Sequence, residues 1–428
     1  MLNTNTIKHL AFGSLIVALS GSLVKAFGVF KDIVIAKEFG ISTSMDALLL
    51  AVSITTFFSV MIGSSLQTTF TPLYLNEHYD RNKIYSSTLT IVFFFFFLFS
   101  VFILFVFPIV SKIIFSNNAA EFQSLLYYSL IILAPTLLLD GRIYLSTAVL
   151  NIKNRFSVPN LVPGITSILI IVSVSLFSEK FNVYTISVAM LLGLLIEYIV
   201  LSKTTHELNF NWPDKALIIL ILKNTYPLAL SSLIMGSTIL VDQLMVGYLG
   251  DGNITTINYG YRLVMFIATF ATHAIVSVTY PHISRCINNN QVEILKRHSI
   301  IIISCIIFLS IPSAFIFYHY SLDIIILMFE RGKFTQQDSL LVSEVQNCLI
   351  LVIPFYIIST FLAKIMAATN QQKHLLYISL INLISNIIFN FIFINFFGVK
   401  GVAISTVFVY LVSTILLCLS ATSVLKKI

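Results

Sequence analysis

Lys25, Lys31 and Arg262 each fall inside an apolar stretch long enough to cross a membrane. A charged side chain there costs about 2.5–3.5 kcal/mol on insertion scales, so each needs a partner or a water-filled cavity. Fixed positive charge without a matching carboxylate at every position suits an anionic ligand. Carboxylates accompany these cations: Asp32 and Asp46 near the first, Asp242 in the second half of the chain. Lys25 and Asp32 are seven residues apart, which puts them within about 20° on a 3.6-residue helix, with Gly28 near the same stripe. Lys31 lies roughly 100° from Asp32 on that helix, and its expected partner is Asp46 on the next span. Asp32, Asp46 and Asp242 therefore read as gating or charge-compensating groups.

Other polar residues in apolar surroundings have a structural reading. Asp140 and Arg142, flanking Gly141, read as a local ion pair, and Glu197 as a side chain reaching toward the membrane interface. Asn382, Asn386 and Asn390 repeat every four residues along one helix face, fit either to bind sugar hydroxyls or to join helices, with the second favoured. Catalysis finds no support. No nucleophile motif, nucleotide-binding loop or H-E-x-x-H run occurs, and the four cysteines show no ligand spacing. No metal, cofactor or direct use of ATP is expected, and the chain reads as a transporter rather than an enzyme.

The elements that carry these residues follow from composition. Of 428 residues 57% are hydrophobic and only 10% charged, with a mean hydropathy of +0.95; soluble domains run near 25% charged. The fold class is an all-α polytopic membrane protein. About twelve transmembrane helices are expected, near 9–37, 46–71, 87–113, 122–150, 159–178, 183–202, 216–249, 256–285, 299–320, 339–368, 374–397 and 400–424. The first is not a cleaved signal, because its apolar run continues past any plausible cleavage site. With the N-terminus inside, cytoplasmic segments hold thirteen Lys/Arg, from Lys8 through Arg81, Lys153 and Arg297 to Lys426 and Lys427, against six on the other face. Both termini are therefore expected in the cytoplasm. Most of the +7 net charge is topology, not nucleic-acid binding.

Spacing also repeats. Asp32 precedes Gly40 by eight residues and Pro72 by forty; Asp242 precedes Gly250 by eight and Pro281 by thirty-nine. Pro135 to Asn151 and Pro354 to Asn370 are both sixteen apart. Two six-helix bundles, 1–205 and 206–428, are expected. Six spans per copy is an even number, so the copies form a parallel repeat about an axis along the membrane normal.

The stretch from Lys25-Ala-Phe-Gly-Val-Phe-Lys31-Asp32 through Gly40 to Met45-Asp46-Ala47 resembles the first-helix region of the MurJ/MviN lipid II flippases, within the multidrug/oligosaccharidyl-lipid/polysaccharide exporter (MOP) superfamily. Asn258-Tyr-Gly-Tyr-Arg262, Phe329-Glu-Arg-Gly-Lys-Phe-Thr335 and 395–403 resemble three further stretches of that family. The resemblance implies a flippase that moves a polyprenyl-diphosphate-linked saccharide to the outer leaflet of a bacterial inner membrane by alternating access. Its partners would be that lipid, the bilayer and a coupling ion, and it would act as a monomer. Lys25, Lys31 and Arg262 match three basic positions of the family's diphosphate cavity, the first two as Lys where Arg is usual, and Asp46 matches a functional acidic position. Where the family's second helix carries another Arg, Ser53 to Ser59 here has no charge, and its usual last two helices have no counterpart before Ile428. An O-antigen or capsule unit stands as the alternative cargo to lipid II. A cation-coupled drug exporter would want carboxylates at its site, and a membrane polymerase a long external loop.

Overall fold

Apolar runs of this length have no water to satisfy their backbone, so each closes its hydrogen bonds internally as a helix. The computed structural model describes residues 4–115, 120–205, 211–289, 291–369 and 371–427. The side chains of Lys8, Pro281, Lys426 and Lys427 and the whole of Asn370, used in the sequence reading, lie outside the described residues. Among the described residues all regular structure is helical. In chain order come α1 (Thr4–Phe39), α2 (Thr43–Leu75), α3 (Arg81–Val101), a π-turn (Phe102–Val106), α4 (Phe107–Ile114), α5 (Ala120–Ile152), α6 (Ser157–Leu161), α7 (Pro163–Phe181) and α8 (Tyr184–Thr204). The second half has α9 (Lys215–Gly247), α10 (Asn253–Asn288), α11 (Val292–His319), α12 (Ser321–Phe329), α13 (Gln336–Leu349), α14 (Val352–Ala368), α15 (Gln372–Phe397) and α16 (Val399–Lys427).

Ten helical stretches are long and apolar enough to span a membrane, and α13 with α14, bent by 43° at their junction, makes an eleventh. The 36-residue α1 brings the number of long segments to about the twelve expected. Local sequence accounts for the breaks. The α3–α4 span carries its π-turn immediately before Pro108, which lacks an N–H and crowds the carbonyl four residues back. Starts are capped: the Ser42 hydroxyl accepts from the Met45 N–H at 3.3 Å, and Thr335 and Asp338 form a reciprocal capping box. Phe94, Phe105, Phe308 and Phe396 are each at least 63% exposed. Such an outer surface is costly in water and natural against lipid.

The chain divides into two compact units, Met1–Gly236 with Arg331–Lys333, and Ser237–Glu330 with Phe334–Ile428. In the first, α2 and α8 pack on α5, and α7 packs on α1 and α8. In the second, α16 packs on α14 and α15, and α10 on α13 and α14. The division falls inside α9, later than the repeat-based boundary at 205/206. Within the first unit, Thr225 on α9 donates to the Thr69 hydroxyl at 3.2 Å, and the Ser232 and Ser65 hydroxyls are 3.2 Å apart, joining the start of α9 to α2.

One close approach sets the α2–α5 distance. Gly63 on α2 lies against the Tyr144 ring on α5, where an added Cβ would overlap the ring. Gly63→Val is expected to destabilise the first unit by about 1–3 kcal/mol through overpacking. A drop in the thermal midpoint of purified protein, larger than that of Gly63→Ala, checks this.

Candidate functional site

The cations suggested by sequence occupy two helices. Lys25 is exposed on α1, Lys31 is partly buried six residues further along the same helix, and Arg262 is exposed on α10. Lys31 does not pair with Asp46 as expected; its Nζ lies 3.3 Å from Oδ1 of the adjacent Asp32. The long Lys stem bends back over the intervening angle, which the Cβ directions alone do not capture. Asp46 is 1% exposed in the first turn of α2, where the unpaired N–H groups and the helix dipole favour a carboxylate. That position reads first as a helix terminus.

Asp242 is the best-defined polar centre. It is 5% exposed on α9 and lies within the second unit. Asn386 and Asn390 of α15 donate Nδ2 hydrogen bonds to its Oδ1 at 2.9 and 2.6 Å. On the other oxygen, Tyr261 of α10 and Thr406 of α16 donate weakly to Oδ2 at 3.4 and 3.5 Å, and their own hydroxyls are 2.6 Å apart. Four helices thus converge on one carboxylate, and among the described residues every hydrogen-bond partner is neutral. The Asn390 carbonyl oxygen is buried without a partner. The buried carboxylate is thus held by neutral amide and hydroxyl donors, the way a costly intramembrane charge is accommodated.

The Asn stripe is therefore spoken for inside the second unit. Asn386 and Asn390 serve Asp242, and Asn382 donates to the Ser413 hydroxyl of α16 at 3.0 Å. The helix-joining reading fits all three, and no sugar-binding role is needed to explain them. Asn390→Leu is expected to cost about 1–3 kcal/mol, because it strips a donor from a buried carboxylate. Asn382→Leu removes only a neutral bond, so it should lower the thermal midpoint less.

Two expectations fail in the first unit. Asp140 and Arg142 do not form a pair: Asp140 accepts from the Ser59 hydroxyl at 2.5 Å, while the Arg142 guanidinium stands 5.6 Å from the Tyr198 ring centroid. Residues two apart on a helix point roughly 200° away from each other, so such neighbours cannot meet. Glu197 does not extend outward either; it is buried within the first unit, 6% exposed.

The sequence reading also missed Tyr261, Thr406 and Ser59. Tyr261 sits directly before Arg262 in the Asn258-Tyr-Gly-Tyr motif, which was the available signal; Thr406 and Ser59 carried none.

A family model described as lipid II flippase MurJ matches residues 35–427. The chain belongs to the MurJ family. Among family relatives, the lipid II flippase MurJ of Thermosipho africanus is 24% identical over 400 residues, covering 92% of this chain and 82% of the relative. A probable lipid II flippase MurJ of Buchnera aphidicola subsp. Baizongia pistaciae is 25% identical, covering 94% and 80%. The fold matches a solved lipid II flippase MurJ in an inward closed conformation, with a TM-score of 0.87 at 23% identity, covering 95% of this chain and 87% of that one. It also matches a multidrug resistance MATE transporter of the MOP superfamily in an inward-facing conformation, TM-score 0.79 at 12% identity, covering 96% and 99%. The chain is thus a multi-pass membrane protein of a transporter family, with the all-helical fold expected from its composition.

Proposed function

We propose that this chain flips lipid II, a polyprenyl-diphosphate-linked saccharide, from the cytoplasmic to the outer leaflet of a bacterial inner membrane by alternating access. The observation that carries the reading is the family match across residues 35–427, joined to fixed cations in both halves of the chain. Lys25, Lys31 and Arg262 hold the diphosphate, with ammonium groups giving point charge where a guanidinium would give a bidentate fork. Asp32 and Asp46 compensate these charges and help gate the path. The lipid tail stays in the bilayer, the protein works as a monomer, and both termini lie in the cytoplasm in keeping with the Lys/Arg distribution. Asp242 takes the coupling cation, because a buried carboxylate ringed by neutral donors is the group most responsive to one.

The relatives cited are named for lipid II, which favours that cargo over an O-antigen or capsule unit. Complementation tests the choice. In a bacterium depleted of its own lipid II flippase, expression of this chain should restore growth and clear accumulated lipid II. Failure there, with rescue of a strain lacking an O-antigen flippase, would overturn the lipid II assignment.

A further inference from the structure

The segment that leads into α9 carries the chain's single tryptophan, Trp212. Its side chain is 91% exposed, the highest value for any large hydrophobic group among the described residues. The backbone beside it is nonetheless held. Asn211 donates its N–H to the Ser86 hydroxyl at 2.8 Å, and Asp214 donates its N–H to the Ser87 hydroxyl at 3.1 Å. Both serines belong to the start of α3 and are 0% exposed. Pro213, between the two donors, has no N–H to satisfy. Asp214 then caps α9, its Oδ1 accepting from the Ala216 N–H at 2.8 Å. All of these residues lie in the first unit, and Trp212 is presented outward by a segment pinned on either side of it.

The pins also fix its depth. The α3–α4 span runs from Arg81 to Ile114, 34 residues, or about 51 Å at 1.5 Å per residue. A hydrocarbon core is about 30 Å thick, so a centred span leaves roughly 10 Å of helix beyond it at each end. Ser86 and Ser87 lie five and six residues after Arg81, about 8–9 Å along the helix. The pinned segment therefore runs at the level where hydrocarbon meets headgroups. Two exposed lysines flank it, Lys83 three residues before Ser86 and Lys215 directly after Asp214. The nearby carboxylates serve helix starts instead: Asp80 accepts from the Asn82 and Lys83 N–H groups, and Asp214 from Ala216.

We infer that Trp212 is an interfacial anchor whose indole enters the ester-carbonyl zone of the surrounding phospholipid bilayer, with Lys83 and Lys215 meeting lipid phosphates. An indole has a broad apolar face and a single N–H donor, which suits a layer that is apolar on one side and rich in acceptors on the other. In water the same ring would leave its apolar face bare, a cost that the lipid removes. The lysines add point charges that phospholipid phosphates attract. Held by α3 on one side and by lipid on the other, the segment fixes where α9 enters the membrane. This inference does not depend on the cargo or on the ion at Asp242.

Because the chain has one tryptophan, all tryptophan fluorescence of the purified full chain reports this position. The chain is placed in phosphatidylcholine vesicles without substrate, with iodide available on both sides of the membrane. The expected emission is shifted to the blue of the chain unfolded in denaturant. Lipids brominated near the carbonyl should quench it most, lipids brominated near the acyl-chain middle less, and iodide only weakly. Strong iodide quenching with none from brominated lipid would overturn the anchor by placing the ring in water. Strongest quenching from the chain middle, or a blue shift that no brominated lipid quenches, would overturn it by placing the ring in hydrocarbon or against protein. Ser86→Ala combined with Ser87→Ala releases both pins and should lower the fluorescence anisotropy of Trp212. Unchanged anisotropy in that variant would overturn the pinned segment.

Discussion

Replacing Lys25 and Arg262 with alanine should abolish rescue of a flippase-depleted strain while leaving the protein folded and inserted. Both side chains are exposed in the structure, so their truncation leaves no packed cavity behind. A charge-assisted contact to phosphate is worth about 1.5–3 kcal/mol, and each loss should therefore slow translocation roughly 10- to 100-fold. Lys25→Arg and Arg262→Lys keep the charge and should retain most activity, with Lys25→Arg improved if a bidentate fork binds the diphosphate better. Flipping rates of single and double variants, normalised to membrane abundance, check the set. Full activity in both alanine variants would remove these residues from the site.

Asp242 should separate charge from packing. Asp242→Ala leaves the Asn386 and Asn390 amides and the Tyr261 and Thr406 hydroxyls around a void. Each buried donor stranded in this way costs about 1–3 kcal/mol, enough to unfold much of the population. Asp242→Asn is nearly isosteric and neutral, so it should fold yet lose its response to cations. A cation bound only by the folded protein stabilises it by RT ln(1 + [L]/Kd), about 2.7 kcal/mol at a hundredfold excess over Kd. The wild type should therefore gain thermal stability on titration with sodium or with acid, choline serving as the control. The Asn variant should lose that gain along with coupled transport. An equal shift in both proteins would place the cation elsewhere.

Much of this was legible in the sequence because a bilayer makes charge conspicuous. An intramembrane Asp, Lys or Arg stands out against apolar neighbours, and spans follow from length. Partners were harder to read. Helix angles turn Lys31 away from Asp32 and leave Asp46 as its expected partner, but its flexible stem reaches Asp32. Asp140 and Arg142 looked adjacent in the sequence and point apart on the helix. Around Asp242, the ring of donors comes from residues as far away as Asn386 and Thr406, so no local pattern announces it. Ser59 was noticed only for lacking charge, yet its hydroxyl is the group that meets Asp140. Hydropathy is also silent on the hydroxyl pairs that join the start of α9 to α2.

The most direct test of lipid II translocation is its leaflet distribution in cells whose own flippase has been depleted and replaced by this chain. An externally added enzyme that cleaves lipid II reports only the outer leaflet. Wild-type chain should render lipid II cleavable, and the Lys25 and Arg262 double alanine variant, present at equal abundance, should leave it protected. Lipid II that stays protected with the wild-type chain, or becomes equally cleavable with the variant, would contradict the account.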